Sequence, residues 1–229
     1  MPAVTSIRRH PERAVTDRER LDAILDAGWV GTLAVVVHGT PQVVPMLYAR
    51  VADEVLLHGS TGAGTLRAAL SAPVAFCVTH LDALVYAASL FHSSANFRSA
   101  VVTGRLERVD PDRQEAALLA LSEHLMPGRA TEVRAVSDKE LAATLVLRLP
   151  IRAGQWTAKV RTGPPGQDPE ADPRVWTGLL PLEAGFGAPS SAPPADPGPG
   201  RAGPARATPA PGGGIPVSPS VLARLAPPR

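Results

Sequence analysis

Apolar and polar positions recur with two different periods along the first 183 residues, and the changes of period place the elements. Leu21, Ile24 and Leu25 recur at helical spacing behind Thr16-Asp-Arg-Glu19, a capping box, so a helix is expected to open there and stop at Gly28 as its C′ residue. The run WVGTLAVVV over residues 29–37 is rich in β-branched side chains and long enough for a buried strand, and His38-Gly-Thr-Pro41 reads as a hairpin turn. Residues 42–50 form the return strand, in which Pro45 requires an edge position or a bulge. Residues 51–54 then turn the chain into a short strand over 55–57.

Beyond Leu70 the pattern stays extended. Residues 73–80 and 83–90 read as two strands joined near Asp82, FHSSAN over 91–96 as a polar interruption, and 97–109 as a long alternating strand. Asp110 and Pro111 supply an N-cap and a first-position proline for a helix that ends at Pro127-Gly128. A short helix near 138–143, the strand TLVLRLPI, a segment over 155–161 and, after a Pro-rich loop, the apolar WTGLLPL complete the pattern. Seven or eight strands mostly in hairpins, with three or four helices, predict a mainly β (α+β) chain. A small closed or partly closed barrel with peripheral helices fits better than a doubly wound parallel sheet.

From residue 184 the character changes. Twenty of the last 46 residues are Pro or Gly, so 1–183 is expected to be the folded domain and 184–229 a disordered tail, with SVLAR near the end as at most a transient helical turn. The net charge is +2, but the tail holds four Arg and one Asp, leaving 19 basic and 20 acidic residues in the first 183. The body thus has no basic excess for binding nucleic acid through counterion release. The single cysteine, Cys77, lies in the apolar run PVAFCVT and reads as a buried, inert thiol in a reducing compartment. With no secretory h-region and no apolar run near the ~20 residues of a membrane span, a cytoplasmic protein with no membrane partner is expected.

The chemistry concentrates in LHGSTGAGTLRAAL, residues 57–70. A strand, a small-residue loop and a helix start in that order can hold a phosphate with backbone N–H groups and the helix dipole. Gly59 and Gly64 have P-loop spacing, yet Thr65 and Leu66 stand where Lys and Ser/Thr must be; Arg67 likewise stands where a third Gly would complete G-x-G-x-x-G. What remains is a phosphate cradle without nucleotide-hydrolysis machinery, or an ordinary β-to-α connection. Ser60 lacks a G-x-S-x-G setting, and the histidines are too scattered to propose a metal site.

Taken in order, RLDAILDAGWVGTLAVV, VVPMLYA, LHGSTGAGTLRAAL, NFRSAVVTGRLERV, AKVRTGPP and VWTGLLPL resemble the pyridoxamine 5′-phosphate oxidase-like FMN-binding split barrels, in particular the branch near the nitroimidazole reductases. The resemblance spans about residues 7–183. It implies that Pro45, Met46, Leu47 and Tyr48 lie along a flavin and that Ser60, Thr61 and Arg67 hold its phosphate. It also implies a homodimer with the cofactor at the interface, so that Asn96, Arg98, Ser99 and Trp176 reach the site from the second subunit. Many relatives carry Lys where this chain has Thr65, so the phosphate cation must be supplied differently. His58 matches a histidine close to the ligand in that branch, with a loop-satisfied histidine as the alternative, and His92 is a candidate proton donor. Lys159 and Arg161 alternate on one strand, which suits an anion contact or a wet sheet face.

The implied function is an FMN-dependent oxidoreductase passing electrons from a reduced nicotinamide to a small-molecule acceptor. The alternative is a non-enzymatic split barrel that binds flavin or haem for storage or sensing. A deazaflavin is the other cofactor the resemblance leaves open.

Overall fold

The computed structural model describes residues 7–191 and 217–225. Its elements are β1 (Ala14–Val15), α1 (Arg18–Asp26), β2 (Val30–Val37), β3 (Thr40–Val51), β4 (Glu54–Ser60), α2 (Gly64–Ala69), β5 (Pro73–Tyr86), β6 (Ser94–Arg105), β7 (Glu107–Arg108), α3 (Pro111–Leu125), α4 (Asp138–Ala143), β8 (Thr144–Pro150), β9 (Trp156–Arg161), β10 (Gly178–Pro181) and α5 (Pro219–Leu225). The strands form one ten-stranded antiparallel sheet in the order β1-β9-β6-β5-β2-β3-β4-β8-β7, with β10 added along β5. The sheet curls into the expected split barrel with helices at its periphery.

Local chemistry explains most of the connections. Asp17 is the N-cap of α1, its carboxylate accepting from the Glu19 amide at 3.0 Å, one residue later than the expected box. His38 and Gly39 both have positive φ, as a two-residue hairpin turn matched to strand twist requires, and they join Val37 to its partner Thr40. Ser137 and Glu140 form a reciprocal capping box on α4 that the sequence reading had not assigned.

β3 changes partners along its length, and this change curls the sheet. Residues 40–47 pair with β2, whereas residues 48–51 pair with β4. Pro45 lies opposite Thr32, on a stretch that β4 does not reach, so its missing N–H falls at a locally free edge.

β4 and β8 are apolar on both faces because each serves two cores. Val55, Leu57, Leu145, Leu147 and Leu149 point into the barrel with Leu33, Phe76, Val102 and the α1 residues Leu21 and Leu25. Leu56 and Val146 face the other way and pack with Ala49, Val109 and Leu121 beneath α3.

Four expectations change. Gly28 is not a left-handed C′ residue, since α1 ends at Ala27 in right-handed geometry. Gly28 is needed for close approach, because a Cβ there would lie 2.7 Å from the Tyr48 hydroxyl and 2.9 Å from His80 Cε1. Residues 73–86 are one strand, not two: the register shifts between Leu81 and Ala83, and Asp82 is the extra residue of a β-bulge. The long strand expected over 97–109 breaks after Arg105, and Glu107–Arg108 pairs with β8 instead. Cys77 is only half-buried, in the cross-strand row Pro45–Thr32–Cys77–Val101–Thr157 on the outer face of the sheet.

The tail differs from its composition as well. Residues 217–225, placed by composition in the unstructured tail, include α5, which packs on α3. Arg224 Nη2 donates to the His124 and Leu125 carbonyls at 2.8 Å each, and its guanidinium lies 5.3 Å from the Trp29 ring and 5.9 Å from that of Phe186. Ser220 donates its amide and hydroxyl to Glu132 at 2.8 and 2.6 Å. The disorder expected for 192–216 and 226–229 falls outside the described residues. Among the described residues no helix is long and apolar enough to cross a membrane.

Candidate functional site

The cradle is tighter than the sequence suggested. β4 runs on through His58, Gly59 and Ser60, paired with Val146, Leu145 and Thr144, so only residues 61–63 separate strand from helix. A Cβ on Gly59 would lie 2.5 Å from Leu66 Cδ1; glycine there lets α2 dock directly on the strand. Three loop amides are used internally. Thr61 donates to the Ala143 carbonyl at 3.1 Å, Gly62 to Ser60 Oγ at 3.2 Å, and Ala63 to the Ser60 carbonyl at 2.9 Å. The amides left for a ligand are those at the start of α2, with the exposed side chains of Ser60, Thr61 and Arg67 around them. Thr65 donates to Gln42 Oε1 at 3.2 Å and ties the helix to β3.

Along β3 the four expected contact residues divide by face. Pro45 and Leu47 are exposed, whereas Met46 and Tyr48 are buried. The Tyr48 hydroxyl donates to the Leu25 carbonyl inside the core, its ring meets Phe76 edge-on at 5.1 Å, and burial pushes its ionisation above the ordinary tyrosine range. Its side chain therefore holds α1 to the barrel and offers nothing to a ligand. The outer face carries Val43 at 63% exposure and Leu47 at 47%, beside Val30 and Val36 of β2. Together these side chains form an exposed apolar stripe across β2 and β3. His58 lies on β4, paired with Val146, and its Nδ1 is buried with no hydrogen-bond partner among the described residues.

The other expected residues gather at a second place, around the loop 87–93 between β5 and β6. His92 Nδ1 lies 2.8 Å from Ser89 Oγ and 3.6 Å from Asp168 Oδ2. Trp176 meets Tyr86 of the same chain in a tilted arrangement, ring centroids 5.7 Å apart, where β10 pairs with β5. Arg98 donates Nε and Nη2 to the bulge carboxylate of Asp82 at about 3 Å, and this bond is the main reason its ionisation lies above the ordinary arginine range. Ser99 lies between Thr79 and Lys159 on the outer face. Within one chain, no hydrogen bond or ion pair among the described residues joins Ser60, Thr61 or Arg67 to His92, Arg98 or Trp176. A hollow of about 280 Å³ between Leu70, Gly104, Leu106 and Gln155 shares no residue with either group.

Arg161 is the residue the sequence could not place. It is 8% exposed, donates to Asn96 Oδ1, and is engaged by no carboxylate among the described residues. Burial first, and Arg13 second, pull its ionisation below the ordinary range. Asn96, also buried, donates to the Gly163 carbonyl at 3.1 Å. Lys159, two residues earlier, instead reaches the Arg9 carbonyl at 3.0 Å. The alternation of Lys159 and Arg161 was visible in sequence, but their different fates depend on distant partners, the Arg9 carbonyl for one and the buried Asn96 for the other.

A family profile described as pyridoxamine 5′-phosphate oxidase matches residues 17–156. No curated protein matches the sequence. Among solved structures, the FAD and heme binding protein from Mycobacterium smegmatis is 39% identical with a TM-score of 0.81, over 93% of this chain and 97% of that one. The flavocytochrome Anf3 from Azotobacter vinelandii is 30% identical with a TM-score of 0.80, over 95% and 94%. A candidate 5-nitroimidazole antibiotic resistance protein from Bacteroides thetaiotaomicron, 20% identical with a TM-score of 0.54 over 74% and 90%, shares the fold. With its barrel, its β4–α2 turn and a profile match over more than half its length, the chain belongs to the pyridoxamine 5′-phosphate oxidase family.

Proposed function

We propose that this chain is a flavin-dependent redox protein that also takes haem, working as a homodimer. One observation carries the reading: two solved proteins match it over nearly their whole lengths, one named for FAD and haem, the other a flavocytochrome. Because the 39% identical neighbour is an FAD protein, FAD displaces FMN as the preferred flavin. The proposed reaction remains electron transfer from a reduced nicotinamide to a small acceptor.

The residues present fit a flavin. The exposed Arg67 and the Ser60 and Thr61 hydroxyls, beside the open amides of α2, suit a phosphate, and the Pro45–Leu47 face suits an apolar ring. A flavin and a haem, when bound, supply hydride acceptance and one-electron chemistry that side chains cannot. The protein's part is binding and orientation. Arg67 would hold the phosphate by a charge-assisted contact, Pro45 and Leu47 would exclude water from one ring face, and Met46 and Tyr48 would keep β3 rigid from within. A second copy covering Val43, Leu47, Val30 and Val36 would bury the stripe and enclose the cofactor.

The test is the absorption spectrum of the purified protein, mass spectrometry of the released flavin, and a pyridine haemochrome assay. These are followed by anaerobic addition of NADPH. FAD, haem and bleaching of the flavin band are expected. Cofactors that bind but do not bleach would leave a carrier in place of an enzyme. A protein that takes up neither cofactor on reconstitution would overturn the reading.

A further inference from the structure

We propose that Arg161 and Asn96 form a subsite for an oxyanion, the carboxylate or phosphate group of a small molecule, and that this subsite shares no residue with the cradle at 57–67. Among the described residues Arg161 is the one charged residue more than nine-tenths buried. Arg50, Arg98 and Arg148, which are less buried, are each matched with an acid: Asp26, Asp82, and Glu54 with Glu107. The hydrogen bond that Arg161 makes runs instead from Nη1 to the neutral amide oxygen of Asn96. The charged neighbour that acts on it is Arg13, a second cation, and Glu12 in the same turn is spent on His10 and Arg13 at 3.0 and 3.6 Å. A guanidinium taken out of water with no counter-charge is costly to keep, and an anion brought by a ligand offsets that cost.

The geometry points the same way. Arg161 closes β9, opposite Phe97 of β6. Asn96, itself buried, donates Nδ2 to the Gly163 carbonyl at 3.1 Å, where a positive φ turns the chain back. Asn96 is thereby fixed with Oδ1 toward the guanidinium, and it fixes Nη1 in turn. The Nε–Nη2 edge has no acceptor among the described residues, yet neither nitrogen is sealed from solvent as His58 Nδ1 and Arg224 Nε are. A held guanidinium with one bare edge presents two parallel N–H groups, the arrangement that takes a carboxylate or phosphate bidentately. With so little of the residue exposed, the opening suits the anionic end of a small molecule and not a folded surface. Lys159 lies on the same face two residues earlier, holding the Arg9 carbonyl at 3.0 Å, and adds to the positive field.

The test follows the melting temperature of the full chain against inorganic phosphate and acetate, at constant ionic strength balanced with chloride. An anion that binds only the folded state raises that temperature saturably. An R67L background removes the cradle's cation from the measurement. There the stabilisation by both probes should persist, and adding R161Q should weaken their binding at least about tenfold, as loss of charge-assisted hydrogen bonds does. R161K, which keeps the charge without the fork, should fall between. Without added anion R161Q should melt no lower than its parent, because it keeps a side-chain amide near Asn96 and removes an unmatched charge.

In the otherwise wild-type chain, FAD and riboflavin titrations of R161Q then identify the source. A loss for FAD alone makes the oxyanion the flavin's own pyrophosphate, and unchanged flavin affinities leave it to a separate small molecule. Four results would overturn the proposal: equal stabilisation by chloride, probe binding unchanged in R161Q, a lower melting temperature of R161Q without anion, or an R161Q monomer from a dimer that shows no anion effect. The last would mean that a carboxylate of a second copy fills the place. The phosphate and acetate arms decide the matter even if the protein takes up no flavin, so failure of the flavin reading is seen separately.

Discussion

Arg224→Met tests the seating of α5 most directly, because it keeps length and apolar bulk while removing the charge. The substitution deletes two charge-assisted hydrogen bonds to the last carbonyls of α3 and a cation–π contact with Trp29. Hydrogen bonds from charged groups contribute roughly 1.5–3 kcal/mol each and a cation–π contact about 0.5–1 kcal/mol. Two facts argue for the low end. The acceptor carbonyls at a helix end can turn to water, and Arg224 Nε is itself buried with no partner among the described residues. A loss of about 1–3 kcal/mol is therefore expected, or about 5- to 150-fold at about 1.4 kcal/mol per decade. Because α5 touches the body through α3, Glu132, Trp29 and Phe186, this loss should appear as local detachment and not as global unfolding. Hydrogen exchange at residues 220–225 should accelerate by that factor and Trp29 emission should shift to the red, with the main melting transition unmoved. Unchanged exchange in the variant would refute the argument and mean that α5 is not held by Arg224.

Other consequences follow from the same contacts. Hydrogen bonds from the Ser220 side chain and amide, then from Arg129 and Ser218, pull the Glu132 carboxyl down to about 2. Since the docked value lies below the free one, the contact is complete above the ordinary glutamate range. It is lost as pH falls from about 4.5 toward 2, which the same exchange measurement across pH would show. Replacing Arg67 by Leu should weaken FAD binding about 10- to 150-fold while leaving riboflavin affinity unchanged, measured by flavin fluorescence quenching; equal losses for both would indicate damage to the turn. Tyr48→Phe removes the Tyr48 hydroxyl from the Leu25 carbonyl, which keeps the Gly28 amide at 3.5 Å, and should cost about 0.5–1.5 kcal/mol in denaturant unfolding, with no effect on FAD binding at a fully folded concentration. Leu47→Lys, on the exposed stripe, should convert a dimer to a monomer in light scattering, and an unaltered dimer would place the interface elsewhere.

Periodicity and turn chemistry determined most of the secondary structure. The β-branched run of β2, the His38-Gly39 turn, the Asp110-Pro111 start of α3 and the apolar strand of β8 follow from local preferences that act over a few residues. The sequence could also separate the 57–70 turn from true nucleotide-binding loops, because that judgement depends only on which residues stand at fixed spacing.

Only the tertiary structure decided which side each residue serves. Met46 and Tyr48 are neighbours of Pro45 and Leu47 in sequence, yet they face opposite ways because a strand alternates and the barrel lies on one side. Asp82 reads as a turn residue, but its carboxylate waits for Arg98, and the bulge it creates keeps β5 in a single strand. Ser89 is the local partner of His92, but Asp168 reaches the same nitrogen from 76 residues away, and Asn96 meets the buried Arg161 from 65 residues away, contacts that no local pattern encodes. The seating of α5 is of the same kind. The composition around it says tail, since 20 of the last 46 residues are Pro or Gly, and the helix is placed by Arg224 and Ser220 meeting polar groups that folding has already fixed on and beside α3.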